Sequence, residues 1–269
     1  MQSGFLDFRN SKIHYLRAGM GDEVLLCFHG YGESALNFSF LLNLTQQHQS
    51  AIAIDLPYHG DTEWNEKELL PADLHQILLD IFSKETLTSK SIKLIGFSMG
   101  GRIALSLLQD FPEKTDKLIL MAPDGMKLNF WYWVATQSFI GKKLFKFTMY
   151  HPGWFLLMLK IGNKLRLINQ SIFKFVTYYI HDKQVREDLY HRWMCLRKFR
   201  PDLDLVKQAI RDNDIPVRML YGKYDRIILT SPAKRFTQGL ENAKIELLEC
   251  GHQVLHEKNA TAIMNAING

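Results

Sequence analysis

The chain has 269 residues, 46% hydrophobic and 23% charged, which is enough to bury a sizeable core and too apolar for a disordered polymer. Its formal charge is +5 and its three cysteines, Cys27, Cys195 and Cys250, are widely spaced, a pattern that argues against a disulfide framework or a zinc site and for reduced thiols. Met1 to Met20 is charged and polar throughout, with no run fit for a leader or a membrane span, so a cytoplasmic protein is expected.

In chain order, Gly4–Arg17 reads as two half-buried strands turning at Arg9-Asn10. Short apolar runs bounded by turn residues follow at Val24–Cys27, Ala51–Ile54, Ile92–Ile95, Lys117–Met121, Val217–Tyr221 and Ile245–Leu248. Such nearly continuous runs suit parallel strands covered on both faces. Helical segments lie between them, among them Pro71–Ser83 and Arg102–Phe111, the latter stopped by Pro112. Strand alternating with helix predicts an α/β, doubly wound sheet.

The alternation breaks between about Met126 and Val206, where the sequence reads as helical and unusually aromatic. That stretch holds fourteen basic residues against five acidic ones, net +9, which leaves −4 for the rest. The expected organisation is a core over 1–125, a helical insertion over 126–206, and a second part of the core over 207–269.

The stretch "KLIGFSMGGRIALSLL" runs from the strand at Ile92–Ile95 into a helix beginning near Gly101. Gly96-x-Ser98-x-Gly100 in that setting has the form of a nucleophile elbow, in which a strained turn projects a serine above the sheet and only hydrogens at the flanking positions let strand and helix approach. The alternative is a strand-to-helix turn with an incidental serine. A serine hydroxyl needs a neighbouring base, itself oriented by a third group. His252, on a Gly-His turn after Ile245–Leu248, is the candidate base, and Asp225, in the loop after Val217–Tyr221, the candidate acid. His256 competes for the first role and Asp124, after Lys117–Met121, for the second. The glycine-rich turn His29-Gly30-Tyr31-Gly32 after Val24–Cys27 offers backbone donors for an oxyanion. The expected pair is the N–H groups of Tyr31 and Met99, with His29, Gly30 and Gly32 supporting the loop.

With His29-Gly30, "DLPYHGDT", "GFSMGG", Asp225 and His252 in this order, the chain resembles the α/β-hydrolase superfamily, in its small cap-bearing branch of esterases, thioesterases, carbon–carbon bond hydrolases, epoxide hydrolases and dehalogenases. The resemblance covers Phe5 to about Pro123 and about Ile215 onward. It implies a mostly parallel sheet of about eight strands with an inserted helical cap, and no metal or cofactor. Three departures matter. Ser98 stands where epoxide hydrolases and dehalogenases of this kind have aspartate, Gln253 where carbon–carbon hydrolases commonly have an aromatic residue, and Tyr58 where the family usually has glycine.

The expected activity is hydrolysis of an ester or thioester of a hydrophobic acyl group. Cleavage of a carbon–carbon bond beside a ketone and non-catalytic ligand binding are the alternatives. Trp131, Trp133, Trp154 and Trp193 are candidates for substrate contact, although such stripes more often serve packing. The basic insertion suits an acidic substrate or weak association with an anionic membrane as well as a plain solvated face. No nucleic-acid motif accompanies the charge, and either a monomer or a homodimer is compatible with the sequence.

Overall fold

A computed structural model of the chain describes residues 1–87, 91–127, 130–167 and 170–269, without the side chains of residues 91, 171, 172, 174 and 175. Asn129, which opens the aromatic stretch, and the Lys174 side chain therefore lie outside the described residues. Two compact units are formed, one from Met1–Lys127 with Lys198–Gly269 and one from Leu128–Arg197.

The first unit is built on strands β1 (Gln2–Phe8), β2 (Ser11–Gly19), β3 (Glu23–Phe28), β4 (Gln49–Ile54), β5 (Ser91–Phe97), β6 (Thr115–Met121), β7 (Val217–Gly222) and β8 (Ala243–Leu248). They form one eight-stranded sheet in the order β1-β2-β4-β3-β5-β6-β7-β8. β1 and β2 are an antiparallel hairpin, β2 is antiparallel to β4, and every other neighbouring pair is parallel. The hairpin turns at Arg9, whose φ is 53°.

Strands β3, β4 and β6 are almost wholly buried, and β5 is buried from Leu94 to Phe97, as the unbroken apolar runs predict, because helices cover both faces. β8 departs from that expectation. Its residues are half-buried or exposed and none is fully buried, because it closes the sheet at an edge.

The helices of this unit are α1 (Ser39–Leu42), α2 (Pro71–Lys84) and α3 (Met99–Asp110), with three more after the insertion. α3 is buried from Met99 to Leu108 and is separated from β5 by Ser98 alone, so it starts two residues before the expected Gly101. The second unit contains α4 (Phe130–Gln137), α5 (Phe139–Tyr150), α6 (Gly153–Lys164), α7 (Gln170–His181) and α8 (Lys183–Cys195). Its interior is held by aromatic contacts, with Trp193 edge-on to Tyr132 at 5.0 Å and tilted against Phe145 at 5.5 Å. Buried Arg186 donates to the carbonyls of Ile180 and Met149, joining α8 to the ends of α7 and α5. The chain then returns through α9 (Leu203–Asp212), α10 (Ser231–Phe236) and α11 (Ala260–Asn268). Among the described residues, no helix is long and apolar enough to cross a membrane.

The register aligns the carboxyl ends of the strands. Phe28 pairs with Gly96, Phe97 with Met121, and Gly222 with Leu248. The loops that carry His29, Ser98, Asp225 and His252 therefore leave one edge of the sheet. After β3 the chain adds β4 on one side and, later, β5 on the other; such a topological switch point opens a crevice in sheets of this kind.

Candidate active site

Ser98 is the residue between β5 and α3, at φ 49° and ψ −114°. A non-glycine residue there is strained by roughly 1–3 kcal/mol, so the surroundings must over-determine it. They do so with three backbone hydrogen bonds. Ser98 N–H donates to Met121 O at 2.9 Å, and Ser98 O accepts from Gly101 N at 2.9 Å and Asp124 N at 2.8 Å. The flanking glycines permit the turn, since a Cβ on Gly96 would lie 2.5 Å from Gly100 O and one on Gly100 would lie 2.0 Å from Phe28 O. The Ser98 hydroxyl makes no capping bond to its own helix.

That hydroxyl faces His252. Ser98 Oγ and His252 Nε2 are 3.1 Å apart, and His252 Nδ1 is 2.7 Å from Asp225 Oδ2. The Asp225 side chain is 1% exposed and that of His252 is 22% exposed, so the acid is dry and the imidazole reachable. Asp225 Oδ1 accepts the N–H groups of Ile227 at 2.7 Å and Ile228 at 3.0 Å. One carboxylate oxygen is thus fixed by its own loop while the other faces the imidazole, an arrangement that orients Nδ1–H toward Asp225 and leaves Nε2 to accept from the serine. The two loops are tied together, since Tyr224 N–H donates to Cys250 O at 3.0 Å.

The competitors are occupied elsewhere. Asp124 pairs with Arg102 at 3.6 Å and accepts the Gly125 N–H at 2.8 Å. His256 Nδ1 accepts the Lys258 N–H at 3.1 Å, capping a short helix.

The loop after β3 begins at His29, which is fully buried. Its Nδ1 lies 2.7 Å from Gly30 O and its Nε2 accepts Leu56 N–H at 3.0 Å, so the ring ties this loop to the one after β4. Tyr31 follows Gly30 in the same turn, Gly32 adopts φ 75°, and Met99 opens α3. The Met99 N–H belongs to the first helical turn, whose donors have no intrahelical acceptor.

Glu33, which sequence reasoning passed over, also belongs to the site. Its Oε2 accepts the Gly30 N–H at 3.2 Å and its Oε1 the Gln253 side-chain amide at 2.8 Å. Burial pushes its carboxyl above the usual range, against the pull of those donors and of nearby His252. The local half of this arrangement has a sequence signal, since in "HGYGES" Glu33 lies three residues beyond the Gly30 whose amide it receives; the Gln253 half has none.

"DLPYHGDT" forms a hydrogen-bonded node around the buried Asp55 carboxylate. Asp55 accepts from His14 Nδ1 at 2.6 Å, Ala35 N at 2.6 Å and Asp61 N at 2.9 Å. Gly60 leaves room for that carboxylate, because a Cβ there would lie 1.9 Å from Asp55 Oδ2. Tyr58 takes φ 63°, which explains why glycine is usual at this position. His14, Asp55 and Asp61 are the described residues close enough to share a metal ion. Both His14 nitrogens and both Asp55 oxygens already have partners, with Ser3 Oγ 2.7 Å from His14 Nε2, so the group is satisfied as a hydrogen-bond network.

A family model described as the alpha/beta hydrolase fold matches residues 23–259. Among curated relatives, the hydrolase YugF of Bacillus subtilis is 26% identical over 91% of this chain and 88% of its own length. The 2-hydroxy-6-oxononadienedioate/2-hydroxy-6-oxononatrienedioate hydrolase of Paraburkholderia phymatum is 25% identical over 90% of this chain and 84% of its own. Among solved structures, a thermophilic esterase from Thermogutta terrifontis superposes with a TM-score of 0.65 at 17% identity, covering 99% of this chain and 98% of that one.

Proposed function

The chain belongs to the α/β-hydrolase family, and from that premise we propose that it hydrolyses a carboxylic ester or thioester of a hydrophobic acyl group, with Ser98 as nucleophile. The observation that carries this reading is the continuous line from Ser98 Oγ through His252 to Asp225, with contacts of 3.1 and 2.7 Å.

Ser98 Oγ attacks the substrate carbonyl carbon as its proton passes to His252 Nε2, and Asp225 stabilises the imidazolium that forms. The carbonyl oxygen becomes an oxyanion, held by the N–H groups of Tyr31 and Met99; one such donor is typically worth about 100-fold or more in rate. Collapse expels the alcohol or thiol, which takes the proton from Nε2 and leaves the acyl group on Ser98. A water molecule then gives a proton to His252 and attacks the acyl carbon, and the carboxylic acid departs as the proton returns to Ser98. The aromatic, leucine-rich composition of the chain between Met126 and Val206 is the sequence feature that favours a hydrophobic acyl group.

Carbon–carbon cleavage is the second reading, favoured by the likeness to the Paraburkholderia hydrolase over 90% of this chain. One set of measurements separates the two. A fluorophosphonate probe should add one mass label to the wild type and none to Ser98→Ala, and turnover of p-nitrophenyl esters should peak at one acyl length. Labelling without ester turnover would shift the assignment to carbon–carbon cleavage. An unlabelled wild type would remove Ser98 as nucleophile.

A further inference from the structure

We propose that the outward faces of α5 and α6 form a docking surface for an anionic membrane, on which both helices lie flat. On α5, Phe139, Ile140, Leu144, Phe147 and Tyr150 are exposed, with Phe139 at 69% and Ile140 at 77%. At the helical repeat these residues share one side of the helix with Lys143, and Lys142 and Lys146 flank them, while Gly141, Thr148 and Met149 turn inward. α6 repeats the pattern. Leu157, Met158 and Ile161 are exposed beside Lys160 and Lys164, and Leu159 is buried. Exposed Leu165 and Leu167 continue the stretch around Arg166.

A single exposed leucine needs no explanation, but two consecutive helices that both present apolar and aromatic side chains to solvent do. Interfacial helices have this composition, with rings and aliphatic chains entering the boundary between headgroup and acyl chain and lysine stems rising to the phosphates. The Lys143 ammonium already lies 4.2 Å from the Phe139 ring centroid, so cation and aromatic ring occupy the same spot on the surface. Each helix has 12 residues, about 18 Å of length, too short to span a bilayer and ample to rest on one.

Charge selects the occupant. No aspartate or glutamate occurs between Asp124 and Asp182, so neither helix carries a negative charge of its own to offset its lysines. A second copy placed symmetrically on the same face would set lysine against lysine, whereas phosphatidylserine or phosphatidylinositol headgroups complement it. Near such a surface each lysine contributes about fivefold in partitioning at low salt.

The test is co-sedimentation of the full chain with vesicles of phosphatidylcholine alone or with roughly a third phosphatidylserine. It is repeated for Lys142→Gln/Lys143→Gln/Lys146→Gln and for Phe139→Ser/Ile140→Ser/Phe147→Ser, all checked for unchanged circular-dichroism melting. The wild type should sediment with the anionic vesicles, lose binding as salt is raised, and bind at least tenfold more tightly than either triple variant. Equal binding to neutral vesicles, no binding, or binding that survives both triple variants would overturn the proposal. So would a dimer that the serine variant dissociates in the absence of any lipid affinity. The readout does not involve Ser98, so it stands or falls separately from the hydrolytic reading.

Discussion

Glu33 Oε1 accepts the side-chain amide of Gln253 at 2.8 Å, joining the loop after β3 to the residue that follows His252. Burial holds the Glu33 carboxyl above its usual range, so the protonated form is favoured by folding. The stability it contributes is full below the ordinary glutamate value and is lost as pH rises through the elevated one. Glu33→Gln ends that titration and keeps a carbonyl for Gly30 once the Gln253 amide flips. Melting should show the variant gaining on the wild type as pH increases from about 4 to 7, while kcat/KM falls by about tenfold because a carboxylate beside His252 is gone. A melting difference that does not change with pH would contradict the burial argument.

Asp225→Asn should fold normally and lose about 1,000-fold or more in kcat. The amide oxygen can keep the N–H groups of Ile227 and Ile228, which now bond to Asp225 Oδ1. The amide nitrogen then faces His252, makes Nδ1 an acceptor, and moves the imidazole proton to Nε2, where Ser98 needs an acceptor. Steady-state ester kinetics beside a thermal melt check this; a parallel collapse of stability would mean that the loop, and not the imidazole orientation, depends on the carboxylate.

Ser98→Gly should be inactive and yet more stable. Glycine occupies φ 49° without the strain a side chain incurs, which outweighs the extra freedom it gives the unfolded chain. A rise in Tm of about 2–4 °C corresponds to 1 kcal/mol in a protein of this size. A lower Tm would indicate that the serine hydroxyl itself supports the fold.

Gly100→Ala should behave in the opposite way. The added methyl would stand 2.0 Å from the Phe28 carbonyl oxygen, so β3 and α3 must separate, at a cost of about 3 kcal/mol or more. Loss of soluble expression or a Tm lower by several degrees is expected; a wild-type melting curve would show that the close packing of strand and helix is not required.

Lys93→Met should weaken the far end of the sheet, and more at neutral pH than in acid. Lys93 Nζ lies 2.9 Å from Glu23 and donates to Ile267 O at 3.0 Å, near the end of α11. Burial pushes the Glu23 carboxyl up, but the hydrogen bonds from Lys93 and Gln49 draw it below the ordinary range. That stabilisation is present above the usual glutamate value and is lost as pH falls through the lowered one. Melts at pH 7 and about pH 3 should therefore differ in the size of the deficit.

The strands were legible in the sequence because a parallel sheet buries both faces, and the six apolar runs all lie within strands β3 to β8. The edge position of β8 was not, because a short apolar run such as Ile245–Leu248 does not say which neighbours it has. That Ser98, His252 and Asp225 would be brought together was legible because each follows a strand at the same edge and carries a recognisable turn. Glu33 escaped because its importance comes from Gln253, 220 residues away in the chain, and no local pattern encodes such a partner. The helix after Ser98 begins earlier than composition implied, since a residue at φ 49° lets the chain turn into α3 at once. Tyr58 likewise needed coordinates, because a tyrosine in a left-handed turn gives no warning in its side chain.

The order of the sheet also sets a timetable. Ser98 and the glycine turn after β3 belong to the first half of the chain, whereas His252 enters only after β8 has paired with β7, beyond the whole insertion. During synthesis the turn at Ser98 is therefore translated well before His252, and contacts of such long sequence separation form late. A nascent chain of this design holds Ser98 long before its partner imidazole, and the Ser98–His252 contact can form only as the last strand closes the sheet.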